Sequence, residues 1–353
     1  MDHPTVIVGG GMAGVCAALA ISERAPVLLA DLATPEAASK AALAGLANPI
    51  IPRRANLVWR CREALRALDA LWQELNVPPL HHGLLRPATS WEAMDGYRAR
   101  AGSDPDIARW HGPAESSKAW PWLRTPFGTL EVLQGGAFDL PAVVQAGISK
   151  LKASGASVRA DWRLTGWRES SDAVEAIFEG PDGRHTFPCS RLVLAVGAGF
   201  QHFPELARLK LHSLKGQLVI AEVDTPPPNL RALSGGGYIV PMGNRMVIGS
   251  SYEHQFDGVE PRSEVTKELL NRAATTMPWL EGARVVGERA GIRVTVPGTR
   301  LPMVGPLPGH NRTWLLSGLA SRGLLMAPYL AASLAEWMAD PNSIPPELSV
   351  TAA

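Results

Sequence analysis

Two glycine-rich loops, one near each end of the chain, have the residue types and spacing that bind a cofactor. Each loop lies between a strand-like apolar run and a helix-like segment; the second follows Trp314–Ser317 and precedes an Ala/Leu-rich helix over residues 326–338. Such a loop directs backbone N–H groups and the positive helix end at one point. The loops are Gly9-Gly10-Gly11-Met12-Ala13-Gly14 and Gly318-Leu319-Ala320-Ser321-Arg322-Gly323-Leu324. Two loops predict a large cofactor held in two places, such as a flavin dinucleotide, whereas NAD usually needs one.

The first loop has the G-x-G-x-x-G spacing of a dinucleotide-binding turn. Gly9 would make the tight turn, Gly11 would allow close approach of a pyrophosphate, and Gly14 would contact the neighbouring strand. Asp31 follows Gly9 by 22 positions, at the end of a second strand, where a carboxylate accepts hydrogen bonds from ribose hydroxyls. An acid there argues against a 2′-phosphate. The competing interpretation is a packing turn with incidental glycines.

The elements that must position these loops follow from the apolar periodicity. Thr5–Val8 is typical of a buried parallel strand. One helix face follows it, made of Met12, Val15, Cys16 and Leu19. The other predicted elements are a strand over Pro26–Ala30, a helix over residues 57–75, short strands and loops over residues 78–135, a helix over Leu140–Ser154, strands over Leu164–Arg168, Ala173–Glu179, Leu192–Val196 and Gly216–Val223, a hairpin over Tyr238–Ser250 and a helix over residues 263–277.

The order of these elements predicts the fold class α/β, with a Rossmann-type FAD-binding domain and an inserted substrate domain built on a mixed or antiparallel β-sheet. Apolar strands of the parallel type lie in three separated stretches, and hairpin material lies between them. The FAD-binding domain is therefore expected over residues 1–77, 136–205 and 286–353, and the substrate-binding domain over residues 78–135 and 206–285.

Composition and charge exclude several function classes. The 353 residues carry a formal net charge of +1 and no polybasic cluster, which does not favour nucleic acid or an anionic membrane as a partner. No run of 18 apolar residues predicts a membrane span. The three cysteines are odd in number and widely spaced, so they indicate neither a zinc site nor a disulfide framework. The histidines indicate no metal site. The first strand starts too early for a signal peptide, so a cytoplasmic location is expected.

Taken together, the motifs resemble those of the FAD-dependent oxidoreductase family that includes D-amino-acid oxidase, glycine oxidase and sarcosine oxidase. The resemblance covers nearly the whole chain, and its motifs occur in the order found in the family. They are Val6 to Asp31, Ala38 to Pro49, Val193 to Gly199, Lys215-Gly216-Gln217, Gly237 to Pro241, Ala290-Gly291-Ile292-Arg293, Leu301 to Gly305 and the second glycine loop.

The resemblance implies where this chain would contact FAD. The first loop would hold the pyrophosphate, with Asp31 and Leu32 beyond it. The segment over residues 39–48 would pass between the pyrophosphate and the flavin ring, and the second loop would donate N–H groups to the flavin C2 carbonyl and N1. The remaining implied contacts are Ser39, Lys40, Gly45, Leu46, Asn48, Val158, Ala195 and Gly197. No cysteine lies between residues 190 and 353, where sarcosine oxidases attach flavin, so non-covalent FAD is expected.

The same resemblance implies two substrate contacts and a reaction. Arg293 matches an arginine that pairs with a substrate carboxylate, and Tyr238 matches an active-site tyrosine. The implied reaction is oxidation of the C–N bond of a small amino acid or N-substituted glycine by hydride transfer to flavin N5, giving an imine and then an oxo acid and an amine. Oxygen or another electron acceptor would reoxidise the flavin. For Arg293 a salt bridge, and for Tyr238 ordinary packing, are the competing interpretations.

One departure from the family pattern leaves alternatives open. Glycine oxidase has an arginine one position before Arg322, where this chain has Ser321. The Ser-Arg-Gly sequence is instead similar to the oxidase domain of a bifunctional enzyme that removes a carboxymethyl group from a tRNA wobble-uridine amine. Ser321 and Arg322 are therefore included among the candidate catalytic residues. A tRNA-modifying oxidase and a non-catalytic flavin-binding protein are the alternatives to an amino-acid oxidase.

Overall fold

A computed structural model of the chain describes residues 3–33, 41–51, 55–235 and 237–350. The strands are β1 (Thr5–Val8), β2 (Val27–Ala30), β3 (Ala44–Ala47), β4 (His81–Pro87), β5 (Ala108–His111), β6 (Thr129–Asp139), β7 (Ser157–Arg159), β8 (Arg163–Glu169), β9 (Val174–Gly180), β10 (Gly183–Cys189), β11 (Arg191–Leu194), β12 (His212–Glu222), β13 (Leu233–Ser234), β14 (Tyr238–Met242), β15 (Arg245–Gly249), β16 (Arg284–Thr295), β17 (Met303–Pro306) and β18 (Thr313–Ser317). The helices are α1 (Met12–Ser22), α2 (Cys61–Leu75), α3 (Trp91–Ser103), α4 (Pro113–Ala119), α5 (Leu140–Ala153), α6 (Pro204–Ala207), α7 (Ser263–Thr276) and α8 (Gly323–Ala339).

A six-stranded sheet forms the frame of the cofactor side of the molecule. Its strand order is β17-β18-β11-β1-β2-β7, and all its neighbouring pairs are parallel except β17 with β18. The chain moves from β1 to β2 on one side and returns through β11 and β18 on the other. The point between β1 and β11 is therefore a topological switch point, where ligands bind at the carboxyl ends of the strands. This sheet confirms the predicted Rossmann-type architecture.

Four helices pack together on this sheet. α1 packs against α8 and α5, and α2 packs against the same two helices. The predicted helix is present as α1, but its burial is not limited to the predicted face: Val15, Cys16 and Leu19 are buried, and so are Ala17 and Ala18. α2 begins at Cys61 instead of residue 57, because Leu57 forms a β-bridge with Ile50. α8 begins at Gly323, three residues before the predicted start, so that the second glycine loop leads directly into it.

The second large sheet has nine strands and carries the predicted hairpin. Its order is β16-β12-β15-β14-β13-β4-β6-β3, with β5 added beside β6, and only the β13–β4 pair is parallel. α7 covers one face of β12 and β15. The hairpin turn is confirmed, with Met242 paired to Arg245 and Gly243 at φ +65°. β8, β9 and β10 form a separate antiparallel meander; β8 and β9 match the two strands predicted here, and β10 was not predicted.

The stretch over residues 78–135 differs from its prediction of short strands and loops. It contains the helices α3 and α4 and most of the 11-residue strand β6. The helices escaped prediction because each buries little apolar surface: only Tyr97 is buried on α3, and only Ser116 on α4. Neither helix therefore shows an apolar stripe at helical spacing.

Three strands bear on the predicted domain bounds. β3 and most of β16 come from ranges assigned to the FAD-binding domain, although both belong to the nine-stranded sheet, and β6 crosses the expected bound at residue 135. The bounds stay a prediction. Within the described residues, no helix is long and apolar enough to cross a membrane.

Candidate active site

The first glycine loop is a turn that only glycine can form at two positions. Gly9 has φ +113°, and a Cβ there would lie 2.3 Å from the Ala195 carbonyl oxygen. A Cβ on Gly14 would lie 1.8 Å from the Gly9 carbonyl oxygen. Both contacts are to backbone, which cannot move aside cheaply. The loop therefore brings the start of α1, at Met12 and Ala13, against the ends of β1 and β11, with Gly11 as the N-cap residue.

Asp31 lies at the end of β2 with its carboxylate turned toward this loop. The Gly10 N–H donates to one carboxylate oxygen, and the Ala33 N–H donates to the other at 3.1 Å. Burial raises the pKa of Asp31, and the hydrogen bonds from Ala33, Gly10 and Leu32 oppose that rise. The carboxylate therefore lies beside the glycine loop, and its role as a ribose contact stays a prediction.

The carboxyl ends of two further strands complete this edge. On β7, Val158 pairs with Leu29, and the next carbonyl, that of Arg159, accepts the Asp31 N–H at 3.0 Å. After β11, the Ala195 N–H donates to the Val8 carbonyl at 2.8 Å. Gly197, at φ +51°, then begins a short 3₁₀ turn. The structure thus brings together the predicted contacts around the first loop, with Leu32 64% exposed at the rim.

The predicted segment over residues 39–48 reaches the second loop through β3. Ser39 and Lys40 lie outside the described residues. A Cβ on Gly45 would lie 3.4 Å from the Leu324 side chain at the start of α8. Asn48 donates to the Ser234 hydroxyl at 3.0 Å and accepts the Ile50 N–H at 3.0 Å. Leu46, which lies between Gly45 and Asn48 in the sequence, is partly buried on β3.

The second glycine loop is fixed against the end of β16. Its first residue, Gly318, has φ +75°, and a Cβ there would lie 2.7 Å from the Val296 side chain. The Ala320 N–H donates to the Val294 carbonyl at 2.8 Å, and Leu319 forms a β-bridge with Thr295. α8 starts at Gly323, and the first N–H groups of a helix have no partner within it. Those of Gly323 and Leu324 are thus available to an acceptor.

Arg322 and Ser321 occupy the outer part of this loop. The Arg322 guanidinium donates to the Arg300 carbonyl oxygen, and Ser321 is exposed. Burial lowers the pKa of Arg322, and the neighbouring charge of Arg300 lowers it further. Arg322 is thus engaged with the loop before β17, and the role of both residues in catalysis stays a prediction.

Arg293 lies on β16, immediately before the residues that hold the second loop. Its Nη2 donates to the Ser251 carbonyl at 2.7 Å, and its Cζ lies 4.6 Å from the centroid of the Tyr252 ring. The guanidinium extends across Gly216 of β12, where a Cβ would lie 1.8 Å from Nη2. Gly216 therefore provides the space that Arg293 occupies. Among the described residues, Arg293 has no carboxylate partner within ion-pair distance, so its competing role as a salt bridge is not supported.

Tyr238 lies on the same face of the sheet as Arg293. It pairs with Gly249, and its ring covers that glycine, where a Cβ would lie 2.9 Å from the ring. Burial raises the pKa of Tyr238 to about 12, and the positive charge of Arg293 opposes that rise. The hydroxyl is therefore a neutral hydrogen-bond donor at physiological pH.

The strand β16 links the cofactor side to the Arg293 side. It holds the second loop through Val294 and Thr295, and a Cβ on Gly291 would lie 3.1 Å from Ala41 of the other predicted cofactor segment. The sequence prediction did not include Ser251, Tyr252 or Gly216 among the site residues. Gly216 was visible only as part of a family motif, and no spacing singles out Tyr252.

The residues present fit a flavin dinucleotide. Each loop contains a glycine whose Cβ would strike backbone or a packed side chain, Gly9 and Gly14 in the first loop and Gly318 in the second, and each loop leads into a helix of more than ten residues. A dinucleotide needs such close backbone approach at its pyrophosphate, and a reduced flavin needs donors at its carbonyl edge. In the described part of the chain, no three His, Cys, Asp or Glu side chains come together as metal ligands would.

Comparisons with known proteins agree with this geometry. The sequence model of the family described as DAO, FAD-dependent oxidoreductase, matches residues 5–337. A glycine oxidase of Pseudomonas putida is 26% identical and aligns over 93% of this chain and 92% of its own length. The tRNA 5-methylaminomethyl-2-thiouridine biosynthesis bifunctional protein MnmC of Thiobacillus denitrificans is 28% identical over 94% of this chain, but only 55% of that protein is covered. The crystal structure of glycine oxidase from Geobacillus kaustophilus has the same fold, with a TM-score of 0.85, 23% identity, and coverage of 99% and 98% of the two chains.

Proposed function

Because the chain belongs to the DAO family of FAD-dependent oxidoreductases, we propose that this enzyme oxidises the C–N bond of a small amino acid or N-substituted glycine. The glycine oxidase of P. putida, similar over nearly its whole length, supports a substrate of this size. Oxidation would give an imine, which water converts to an oxo acid and an amine.

The observation that carries this proposal is the position of Arg293 next to the second glycine loop. Val294 follows Arg293 directly in β16, and its carbonyl oxygen accepts a hydrogen bond from the Ala320 N–H in the loop. A carboxylate held by Arg293 would therefore lie beside the residues proposed to hold the flavin carbonyl edge. This arrangement gives the orientation that the reaction requires.

Each side chain of the site has a distinct task in this proposal. Arg293 binds the substrate carboxylate through charge-assisted hydrogen bonds, for which its planar guanidinium is suited. Tyr238 remains protonated and donates a hydrogen bond that orients the substrate. FAD would supply the hydride acceptor, and would be held without a covalent bond, since the sequence has no cysteine after Cys189. Ser39, Lys40, Asn48 and the two glycine loops would hold it.

A second candidate is removal of a carboxymethyl group from a tRNA wobble-uridine amine. The MnmC protein of T. denitrificans and the Ser321-Arg322-Gly323 sequence favour it. This chain spans about half the length of that relative. The substrates of both candidates carry a carboxylate on the carbon next to an amine nitrogen, and both would place that carboxylate at Arg293.

Anaerobic reduction of the purified flavoprotein tests the proposal. Glycine, sarcosine, D-amino acids and a carboxymethylaminomethyl-uridine tRNA are added separately, and the flavin absorbance near its visible maximum is followed. Bleaching by one of the small amines supports an amino-acid oxidase, and bleaching by the modified tRNA alone supports the second candidate. No bleaching by any of them would refute both.

Substitutions at the two proposed contacts sharpen this test. Arg293→Ala should retain FAD but lose reduction at substrate concentrations that saturate the unsubstituted enzyme, and Tyr238→Phe should weaken it less. The matched control is Arg168→Ala, because Arg168 is an exposed arginine on the separate meander, paired with Glu175. If Arg293→Ala were reduced as readily as the control, Arg293 would not be the carboxylate contact.

A further inference from the structure

Tyr252 lies over the arginine that the proposed function assigns to the substrate carboxylate. The Arg293 Cζ is 4.6 Å from the ring centroid, within the range of a cation–π interaction. Tyr252 is 59% exposed, which is high for a large aromatic residue. The adjacent Ser251 carbonyl accepts a hydrogen bond from Arg293 at 2.7 Å. Two consecutive residues thus contact one guanidinium.

The segment that carries Tyr252 is held by hydrogen bonds to β12, along the edge of that strand that does not pair with β16. The Gln217 N–H donates to the Ser251 hydroxyl at 2.8 Å, and the Ser251 N–H donates to the Gln217 carbonyl at 3.0 Å. Lys215 and Glu253 exchange two backbone hydrogen bonds at 3.0 Å. Because the segment pairs with β12 on both sides of Tyr252, the ring has a defined position despite its exposure.

The buried side chains of Lys215 and Gln217 reinforce this arrangement. Lys215 is 2% exposed, and its Nζ donates to the Glu260 carbonyl at 2.7 Å. Gln217 is fully buried, and its amide contacts Arg262 and Thr266 at 2.7–3.0 Å. Both residues therefore hold the chain that follows β15, while Gly216 between them leaves space for Arg293 on the other face.

We infer that Tyr252 is a positioning residue for Arg293: its ring and the Ser251 carbonyl keep the guanidinium over Gly216, so that its remaining donors face the substrate carboxylate before substrate binds. An arginine fixed in this way loses less side-chain freedom on binding, which favours affinity. The ring contributes through its face and not through its hydroxyl. This inference rests on the proposed function, because it takes Arg293 to be the carboxylate contact.

Binding of a non-reactive carboxylate to the FAD-loaded enzyme tests the inference without turnover. Acetate is titrated and its dissociation constant is taken from the change in the flavin absorbance spectrum, with acetamide as the uncharged control. Tyr252→Leu should raise the dissociation constant of acetate about two- to fivefold, the range expected for losing an exposed cation–π contact. Tyr252→Phe keeps the ring and should bind acetate as the unsubstituted enzyme does.

Two further measurements separate positioning from other roles. In Tyr252→Leu, the limiting rate of anaerobic flavin reduction at saturating substrate should stay within about twofold of the unsubstituted enzyme. The substrate concentration for half-saturation should rise by about the same factor as the dissociation constant of acetate. FAD content and melting temperature should match those of Trp91→Leu, a control that removes another exposed aromatic side chain, that of the 67% exposed Trp91 on α3.

Each other outcome would overturn the inference in a recognisable way. An unchanged acetate constant in Tyr252→Leu would show that the ring does not position Arg293. Equal losses in Tyr252→Leu and Tyr252→Phe would assign the effect to the hydroxyl, and loss of FAD or of stability relative to Trp91→Leu would assign a structural role. If the unsubstituted enzyme did not bind acetate in preference to acetamide, the proposed role of Arg293 would fail together with this inference.

Discussion

Gly216→Ala is the substitution that most directly tests how Arg293 is placed. The added Cβ would lie 1.8 Å from the Arg293 Nη2, whereas unbonded heavy atoms are comfortable at about 3.5 Å. The guanidinium must therefore move by about 1.7 Å. Gly216 does not have a positive φ, so alanine can adopt its backbone conformation and the strand itself should remain intact.

The expected loss follows from the contacts that such a movement breaks. The hydrogen bond to the Ser251 carbonyl, 2.7 Å long, and the stacking on Tyr252 cannot both survive a shift of this size. A displaced guanidinium also loses at least one of its charge-assisted hydrogen bonds to a bound carboxylate, each of which contributes about 1.5–3 kcal/mol. Affinity for a carboxylate ligand should fall by about 10- to 150-fold, since 1.4 kcal/mol corresponds to a factor of ten.

The assay is the acetate titration of the FAD-loaded protein, followed by anaerobic reduction with the best amine substrate. Gly216 lies on β12 of the nine-stranded sheet and belongs to neither glycine loop, so FAD content should not change. The matched control is Gly166→Ala on β8, where nothing lies within 4 Å of an added Cβ. Normal acetate affinity in Gly216→Ala would refute the placement of Arg293 as the carboxylate contact, and loss of FAD would show that β12 supports the cofactor directly.

Three further predictions concern the cofactor side. In Gly14→Ala, the Cβ would lie 1.8 Å from the Gly9 carbonyl, so the protein should lose FAD or solubility, whereas Gly199→Ala, with its nearest contact at 3.7 Å, should not. Because burial raises the pKa of Asp31, folding loses stability as pH rises through that pKa; FAD-free Asp31→Asn should melt above the unsubstituted protein at pH 7.5 but not near pH 3, and should bind FAD more weakly. Acid precipitation should release all the flavin into the supernatant, and yellow pellets would contradict non-covalent binding.

The sequence was sufficient to predict the elements whose patterns are strictly local. The G-x-G-x-x-G turn, the strand before it and the acid after it predicted a βαβ unit, and Gly9 and Gly14 each have a steric reason that no other residue meets. The paired strands Tyr238–Met242 and Arg245–Gly249 were predicted by alternation around a two-residue turn. The helices α3 and α4 were not, since they are held by few buried side chains.

The candidate site could be predicted only in part, because its contacts join residues far apart in sequence. Arg293 was found through a family motif, but Tyr252, 41 positions earlier, gives no signal in the sequence. Its place depends on how the chain after β15 pairs with β12, which is set by Lys215 and Gln217. Similarly, the contact of Ala320 with Val294 arises from the meeting of two sheets, which no periodicity encodes.

The packing of α8 against α1 and α2 has a consequence for the synthesis of the enzyme. The first βαβ unit is complete at residue 30, but the second glycine loop and the start of α8 come near residue 323 of 353. At about 5–20 residues per second, a ribosome needs about 15–60 s to add the intervening chain. During that time the nascent protein has the pyrophosphate turn without the loop that would hold the flavin ring. The site that would hold the cofactor is therefore complete only near the end of synthesis. A nascent chain released before α8 is made cannot complete this site.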